Sequence, residues 1–441
     1  MKVLVIEPTI LKGEISIPPS KSLSHRAIIC AGLADGVSKI ENVVLSEDIA
    51  ATLEGMEAMG AVVKEVQFMG KDKDKENIIG KPLTISIQGS YPPKMLKDTI
   101  DCRESGSTLR FLLPLATCGG KKVIFLGRGK LGERPLDIYL QLFAEQGVRY
   151  ETGNKGFLPL TVHGSIKPGT FRLQGNVSSQ FISGLLFLLP CLEGDSKVIL
   201  TTALESRGYV DLTLAVLREF GIQVENREYR EFLIKGLQKY QPCHYRVEGD
   251  YSQAAFWIVA GILGKRIDCL ALQPDSLQGD KAILDIARQM GARLNWQDGK
   301  LSVLAGPTQG TVINAEHCPD LVPILAVLGA LSQGTTRIVN AGRLRMKESD
   351  RLKAIATELN KIGGQVQETN DGLLIEGVKN LQGGTVNSWN DHRIAMALAI
   401  AAVKCLKPLK ITGYEAVRKS YPHFWQDYEK LGGKCYERSL G

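Results

Sequence analysis

Residues 36–65 read GVSKIENVVLSEDIAATLEGMEAMGAVVKE, and this stretch contains the repeating unit of the chain. A short β-branched strand is followed by a polar loop, an amphipathic helix, a glycine and a second strand. Gly60 stands at the helix end, where a left-handed C-terminal cap is expected. This alternation of strand and helix periods is typical of βαβ-type folds, so the stretch predicts an α/β architecture.

The same pattern returns five more times, beginning near residues 121, 195, 264, 334 and 409. The glycines expected at the helix ends are Gly147, Gly221, Gly291, Gly363 or Gly364, and Gly432 or Gly433. Before each unit lies a second helix that is apolar on nearly all faces, such as FISGLLFLLPCL or IAMALAIAAV, and such helices belong in a core. These buried helices recur about every seventy residues. The sequence therefore predicts six βαβαββ units, and 441 residues suffice for two domains of three units each.

Composition narrows the function classes. With 44% hydrophobic and 23% charged residues, the chain is expected to be a soluble globular protein. The opening MKVLVIEP is too short for a signal peptide, and no apolar run reaches the roughly 20 residues that span a bilayer, so no membrane association is expected. Nine cysteines without a CxxC motif indicate reduced thiols and a cytoplasmic location. Six histidines, none paired at ligand spacing, predict no metal site.

The formal charge of +7 fits solvated lysines, a nucleic-acid surface or an anionic small molecule. Only 6% of the residues are aromatic, and the notable cations stand at the ends of core helices, which argues against a nucleic-acid scaffold. Polar clusters precede each of the six buried helices: SKSLSHR (20–26), RESGSTLR (103–110), NVSSQF (176–181), EGDYSQ (248–253), CPD (318–320) and NDHR (390–393). Helix N-termini attract anions, so we expect these ends to line a cleft between two domains that binds an anionic ligand.

Each cluster also has a purely structural interpretation. Ser20 or Ser22 could cap the first buried helix, with Lys21 and Arg26 either solvated or neutralising an anion. Asp320 could be a helix cap, or a general base beside a cation-rich cleft.

In RMKESDRL, residues 345–352, Glu348 and Arg351 could simply pair at i,i+3 spacing. The alternative makes Lys347 and Arg351 clamps for an anion and Glu348 a proton carrier. In NDHR, His392 could be structural, whereas Arg393 is harder to explain without a ligand.

The motifs PPSKSLSHRA, ESGSTLRFL, ERPLD, VSSQFISGLL, EGDYSQAAF, RMKESDRL, NDHRIAMALA and RKSYPHFW occur in this order along the whole chain. In this set the chain resembles the enolpyruvyltransferases, and within them the EPSP synthase (3-phosphoshikimate 1-carboxyvinyltransferase) family. The resemblance implies a two-domain inside-out α/β barrel of six βαβαββ units. It places residues 21–247 in one lobe and residues 1–20 with 248–441 in the other, with the cleft between them. A monomer is expected.

The resemblance also implies a reaction between shikimate 3-phosphate and phosphoenolpyruvate that needs no cofactor. The residues implied for shikimate 3-phosphate are Ser22, Arg26, Ser178, Ser179, Ser206 and Lys347, with Gln180 between the two ligands. Those implied for phosphoenolpyruvate are Lys21, Gly106, Arg134, Arg351, Arg393 and Lys419. As proton carriers we expect Asp320 facing the 5-hydroxyl and Glu348 facing the methylene carbon, with Lys21 assisting the departing phosphate.

UDP-N-acetylglucosamine enolpyruvyltransferase is the alternative within the same fold. Its members usually carry a cysteine on a mobile loop before the Arg-Pro pair. Residues 125–135 read FLGRGKLGERP and contain no cysteine, and with SSQF and KESDR this favours the shikimate enzyme.

Overall fold

The computed structural model describes residues 2–68, 81–154 and 156–439. In chain order the helices are α1 (Lys21–Leu33), α2 (Glu47–Ala58), α3 (Gly106–Leu115), α4 (Asp137–Gln146), α5 (Ser179–Leu188), α6 (Arg207–Glu219), α7 (Tyr251–Leu263), α8 (Ile283–Gln289), α9 (Val322–Ala330), α10 (Arg351–Lys361), α11 (His392–Ala401) and α12 (Phe424–Lys430).

The strands are β1 (Lys2–Glu7), β2 (Gly13–Ser16), β3 (Val37–Val43), β4 (Val62–Phe68), β5 (Leu83–Gln88), β6 (Thr99–Asp101), β7 (Val123–Leu126), β8 (Arg149–Thr152), β9 (Leu160–His163), β10 (Thr170–Leu173), β11 (Ser196–Leu200), β12 (Val224–Arg227), β13 (Glu231–Ile234), β14 (His244–Arg246), β15 (Ile267–Leu270), β16 (Arg293–Gln297), β17 (Lys300–Leu304), β18 (Val312–Asn314), β19 (Thr335–Val339), β20 (Gln365–Glu368), β21 (Leu373–Glu376), β22 (Gly384–Asn387), β23 (Leu409–Thr412) and β24 (Lys434–Ser439).

The chain divides into two compact units, residues 19–247 and residues 1–18 with 248–441. Each unit has its own hydrophobic core. The described strands form three four-stranded sheets in each unit: β14-β3-β5-β4, β6-β7-β9-β8 and β10-β11-β13-β12 in the first, and β2-β15-β17-β16, β18-β19-β21-β20 and β22-β23-β1-β24 in the second.

All six sheets have the same topology, in which the first pair of strands is parallel and the other two pairs are antiparallel. In one sheet, for example, Phe171 pairs in parallel with Val198, which pairs antiparallel with Phe232. The predicted α/β class is confirmed, with mixed sheets.

The helices fall into the two predicted kinds. Every residue of α7, α9 and α11 is buried, and α1, α3 and α5 are nearly as enclosed. The helices that alternate with them are amphipathic, as in α10, where Leu352, Ile355 and Leu359 face the core. The predicted helix-end glycines Gly60, Gly147, Gly221, Gly291, Gly363 and Gly432 all have positive φ. A side chain would be strained in that backbone conformation, so each of these positions favours glycine.

In the described ranges, no helix combines the length and hydropathy needed to cross a bilayer.

Candidate active site

In the unit of residues 19–247, Lys21 opens α1. Ser20 is the cap of this helix, and its Oγ accepts a hydrogen bond from Leu23 N at 3.4 Å. Ser20 is therefore the cap, and the Lys21 ammonium, which has no acceptor atom, cannot serve as one. Its Nζ instead donates to Asp48 Oδ2 at 2.8 Å, and both side chains are mostly buried. The pair puts a partly desolvated cation at a helix N-terminus, where anions are already favoured.

Arg26 lies one turn further along α1 and is almost fully buried. Its Nε donates to Thr213 Oγ1 at 2.8 Å and its Nη2 to the Tyr209 carbonyl at 2.9 Å, both on α6. A third donor, Nη1, bonds the Ser22 carbonyl at 2.7 Å. Burial lowers the pKa of Arg26 to about 10. Helices α1 and α6 thus hold the guanidinium in one orientation.

The N-termini of α3 and α5 are joined through Gln180. Its Nε2 donates to Ser107 Oγ at 2.9 Å, and its Oε1 accepts from Arg110 Nη1 at 2.8 Å. A Cβ on Gly106 would lie 2.6 Å from Arg134 Nη1 and 3.2 Å from Arg110 Nη1. The absence of a side chain at position 106 therefore leaves room for two arginine side chains around the start of α3.

The predicted serines occupy two more helix starts in this unit. Ser178 caps α5 by accepting from Gln180 N at 3.3 Å, and Ser179 follows it, buried. Ser206 precedes α6 with a φ of 55°, which is left-handed backbone that few non-glycine residues adopt.

A buried polar chain connects the first three helices of this unit. His25 Nδ1 lies 2.7 Å from Thr52 Oγ1, which lies 2.7 Å from Thr108 Oγ1, and this hydroxyl donates to Ser105 Oγ at 2.8 Å. Burial, with a smaller contribution from the charges of Lys21 and Arg26, holds the pKa of His25 well below its usual range. The imidazole is therefore neutral and fixes the helix ends by hydrogen bonding rather than by charge.

In the unit of residues 1–18 and 248–441, Asp320 is the centre of a charged cluster. Its Oδ1 accepts from Arg351 Nη1 at 2.9 Å, and its Oδ2 accepts from Arg393 Nη2 at 2.8 Å. Lys347 Nζ lies 3.6 Å from Oδ1. Asp320 lies in the short 3₁₀ turn Pro319–Leu321, and α9 begins only at Val322 without a side-chain cap. The interpretation of Asp320 as a helix cap is therefore wrong.

Arg351 connects three carboxylates. Besides Asp320 it binds Glu348 Oε2 through Nη2 at 2.7 Å and Asp391 Oδ2 through Nε at 2.8 Å. The i,i+3 pairing of Glu348 with Arg351 is therefore present, but as one contact among several. Lys347 and Arg351 do not share a helix, because Asp350 caps α10 and Lys347 precedes it.

The remaining cations lie at the start of α11 and in the 3₁₀ segment Tyr414–Lys419. Asp391 caps α11 by accepting from Arg393 N at 2.9 Å, and Arg393 Nη2 also bonds Ser252 Oγ at 3.1 Å. Lys419 is buried, and its Nζ donates to the Asn390 carbonyl at 2.8 Å.

The charges in this cluster shift one another's pKa values. Burial alone would raise the pKa of Asp320, but the three surrounding cations outweigh it and hold that pKa well below its usual range. Burial lowers the pKa of Lys347, although the nearby Asp320 carboxylate opposes the shift. Burial would also lower the pKa of Arg351. The carboxylates around it outweigh this effect, and the pKa of Arg351 lies above its usual value. Asp320 is therefore ionised, and its charge holds the cations in place.

The structure brings part of the predicted residues into contact within each unit, whereas Lys21, Arg26 and Lys419 bond other partners. In one unit Gly106 lies beside Arg134 and Arg110, and Arg110 bonds Gln180. In the other, Asp320 contacts Lys347, Arg351 and Arg393. Sequence reasoning included Arg110, Asp250, Ser252 and Asp391 only as members of the polar clusters, without a role of their own, and it did not single out Asp48. For Arg110 a signal existed, since an arginine inside the apolar run TLRFLLPL has to find buried partners.

Chemically, the two sets offer guanidinium, ammonium and hydroxyl groups at helix N-termini, and carboxylates in reach of the cations. Such an arrangement binds phosphates and carboxylates and can move protons beside them. Among the described residues, no group of three or more His, Cys, Asp or Glu side chains is placed to hold a metal ion.

Comparison with known proteins gives consistent results. The family model for EPSP synthase (3-phosphoshikimate 1-carboxyvinyltransferase) matches residues 5–428. A protein of Clostridium novyi (strain NT) named 3-phosphoshikimate 1-carboxyvinyltransferase is 55% identical over 441 residues, which is all of both chains. A solved structure of EPSP synthase from Acinetobacter baumannii has 25% identity and a TM-score of 0.79, with all of both chains covered. The enolpyruvyl transferase NikO from Streptomyces tendae shares the fold, with a TM-score of 0.79 at 18% identity over 100% of this chain and 99% of that one.

Proposed function

The chain belongs to the EPSP synthase family, and from this premise we propose that it transfers the enolpyruvyl group of phosphoenolpyruvate to shikimate 3-phosphate. The acceptor is the 5-hydroxyl, and the products are 5-enolpyruvylshikimate 3-phosphate and inorganic phosphate. Both substrates carry a phosphate and a carboxylate, so a binding site needs several desolvated cations. The observation that supports this most directly is the Asp320 carboxylate held by Arg351 and Arg393 at 2.9 and 2.8 Å.

The proposal draws on residues of both units. Shikimate 3-phosphate is assigned to Ser22, Arg26, Ser178, Ser179, Ser206 and Lys347, and phosphoenolpyruvate to Lys21, Gly106, Arg134, Arg351, Arg393 and Lys419, with Gln180 and Asp320 contacting the substrates where they meet. Support comes from the placement of Lys21, Gly106 and Ser178 at helix N-termini. It also comes from the contacts of Lys347, Arg351 and Arg393 with Asp320. The bonds from Arg26 to α6 fix a guanidinium for a phosphate before the ligand arrives, which reduces the ordering cost of binding.

Two proton carriers are required. As the 5-hydroxyl oxygen attacks C2 of the enol, Asp320 accepts the hydroxyl proton. Glu348, which has to enter this step in its protonated form, donates a proton to C3, and a tetrahedral ketal phosphate results. Glu348 then takes a proton back from C3 as the C2–O bond to phosphate breaks. Asp320 releases the hydroxyl proton, the leaving group takes up a proton to become hydrogen phosphate, and Lys21 stabilises its charge.

The low pKa of Asp320 makes it a weak base while three cations surround it. Anionic substrates compete for the same guanidinium and ammonium groups. When Arg351 and Arg393 turn part of their hydrogen bonding to a substrate carboxylate, the pKa of Asp320 rises toward a value that suits proton transfer. Substrate binding thus activates the base.

The same proposal includes the finer architecture, an inside-out α/β barrel built from six βαβαββ repeats. Each of the two compact parts of the chain would contain three of these repeats. The repeated sheet topology supports it. A monomeric state and a cytoplasmic location stay predictions.

The test is a transfer assay with purified protein. With shikimate 3-phosphate and phosphoenolpyruvate, phosphate release should be accompanied by a product whose mass is that of 5-enolpyruvylshikimate 3-phosphate. With UDP-N-acetylglucosamine in place of shikimate 3-phosphate, no phosphate release is expected. Phosphate release from phosphoenolpyruvate with UDP-N-acetylglucosamine, but not with shikimate 3-phosphate, would refute the proposal.

A further inference from the structure

The segment of residues 387–391, which leads into α11, has a strained backbone. Trp389 has a φ of 56° and Asn390 a φ of 54°, so two consecutive non-glycine residues adopt left-handed conformations. This conformation is rare for a bulky aromatic residue such as Trp389, whereas asparagine adopts it more readily. It persists only where the surroundings impose it.

A buried carboxylate imposes it here. Glu358 on α10 is fully buried, and its Oε1 accepts from Trp389 Nε1 at 2.7 Å while its Oε2 accepts from Asn387 N at 3.0 Å. Lys361, half-exposed, donates to Oε1 at 2.8 Å and supplies the countercharge. A buried charge with good donors on both oxygens forms stronger hydrogen bonds than a neutral group would.

The same helix binds the segment a second time. Arg351 lies seven residues before Glu358, so the two side chains share a face of α10. Arg351 Nε bonds Asp391 Oδ2 at 2.8 Å. Helix α10 therefore holds the segment at both ends, through Glu358 near Asn387 and through Arg351 at Asp391.

The segment in turn positions two of the cations described above. The Asn390 carbonyl accepts from Lys419 Nζ at 2.8 Å, and Asp391 sets the start of α11, where Arg393 is placed. The carbonyl that binds Lys419 thus belongs to one of the two left-handed residues, so its direction depends on the backbone conformation of this segment. The strain at Trp389 and Asn390 is thus coupled to the position of an ammonium and a guanidinium.

We propose that Glu358 and Trp389 are positioning residues, which hold residues 387–391 strained so that Lys419 and Arg393 meet the carboxylate and phosphate of phosphoenolpyruvate. This inference rests on the proposed function for the identity of that substrate. In this proposal Glu358 and Trp389 affect substrate binding only indirectly, through the conformation of residues 387–391.

The kinetic test uses Glu358→Gln, Trp389→Phe and the double variant. Trp389→Phe keeps an aromatic ring, although a smaller one, and removes the Nε1 donor. Glu358→Gln removes the charge and keeps one acceptor oxygen. We expect each to raise KM for phosphoenolpyruvate roughly tenfold, as loss of one charge-assisted hydrogen bond does, with KM for shikimate 3-phosphate within about twofold of wild type. Because both variants affect the bond between Glu358 and Trp389, the rise in KM of the double variant should be smaller than the product of the two single effects.

Lys353→Gln is the matched control, since it removes an exposed positive charge from the same helix and leaves Glu358 with its ion pair to Lys361. It should leave both KM values unchanged. Hydrogen–deuterium exchange gives a readout that needs no turnover: the amides of residues 387 and 389–391 are all hydrogen-bonded and should exchange faster in Glu358→Gln, without a general increase elsewhere.

Failure of the proposed function and failure of this inference are distinguishable. A wild-type protein without transfer activity refutes the former, and the exchange of residues 387–391 still decides whether Glu358 holds the segment. Unchanged exchange there, or unchanged KM for phosphoenolpyruvate in both single variants, would overturn the inference. A parallel rise of both KM values with a lower Tm would also overturn it, because that is the signature of general destabilisation.

Discussion

Asp320 and Arg393 are 73 residues apart in the sequence, and the Arg393 Nη2 donates to Asp320 Oδ2 at 2.8 Å. The same carboxylate accepts from Arg351 at 2.9 Å, so two guanidinium groups converge on one acid. The Asp320 carboxylate is thus the anion on which these cations converge. The negative charge of Asp320 holds the two guanidinium groups in place and offsets the repulsion between them.

Asp320→Asn should reduce kcat by roughly 10²–10⁴-fold, because an amide cannot accept the hydroxyl proton. The shape of the side chain is kept, so shikimate 3-phosphate should still bind, which isothermal titration calorimetry measures. If the variant instead unfolds or loses all affinity, the role of Asp320 is to hold the cations rather than to move a proton. A thermal melt beside the titration separates these results.

Lys21→Met should reduce kcat by about 10²–10³-fold with little change in Tm, since it removes the charge beside the leaving phosphate and keeps the length of the side chain. Steady-state phosphate release measures the effect. Lys235→Met is the control in the same unit, because that lysine also pairs with an aspartate, Asp195, at 2.6 Å but is largely exposed. Near-normal turnover in Lys21→Met would remove this lysine from the mechanism.

Local periodicity carried most of the fold prediction. The strand, helix and glycine pattern can be read within about thirty residues, because each signal depends on neighbours in the sequence. The glycine positions show this well: Gly60 and Gly147 were predicted as left-handed and are. At the fifth and sixth repeats, two consecutive glycines were candidates for the helix end. In each pair the first glycine has the positive φ, which is Gly363 rather than Gly364 and Gly432 rather than Gly433.

The candidate site was less accessible to such reasoning. The helix-end clusters could be located, but their partners lie far away in the chain. Arg351 binds Asp320 and Asp391 at separations of 31 and 40 residues, and no local pattern encodes these pairs. The pairing of Arg351 with Glu348 could be predicted, because these two residues are only three positions apart in the sequence. Asp48, the partner of Lys21, was missed because an aspartate in the first turn of a helix needs no further explanation.

Gly106→Ala should raise KM for phosphoenolpyruvate by roughly tenfold. The added Cβ would stand 2.6 Å from Arg134 Nη1, so the guanidinium has to move away from the start of α3. Because Arg134 is the assigned ligand of that substrate, KM for shikimate 3-phosphate should change little, which steady-state kinetics with each substrate varied in turn will show. Gly306→Ala, where the nearest atom would be 3.9 Å away, is the control. An equal rise in both KM values would contradict the assignment of Arg134.

His25 should make the folded state sensitive to mild acid. Burial holds its pKa well below the usual 6.5, so below pH 6.5 the unfolded chain binds a proton that the folded chain excludes. The free energy of unfolding should therefore fall with decreasing pH, by at most about 1.4 kcal/mol per pH unit from this one group. Urea unfolding between about pH 5 and pH 7 measures the slope.

His25→Gln removes the titration and keeps an acceptor near Thr52, so its free energy of unfolding should depend less steeply on pH than that of the wild type. His163→Gln, at an exposed position on β9, should follow the wild-type slope. Parallel curves for wild type and His25→Gln would mean that the imidazole takes up a proton in the folded protein. In that case the buried chain from His25 through Thr52 and Thr108 would tolerate a cation, and its role as a neutral connection between helix ends would be wrong.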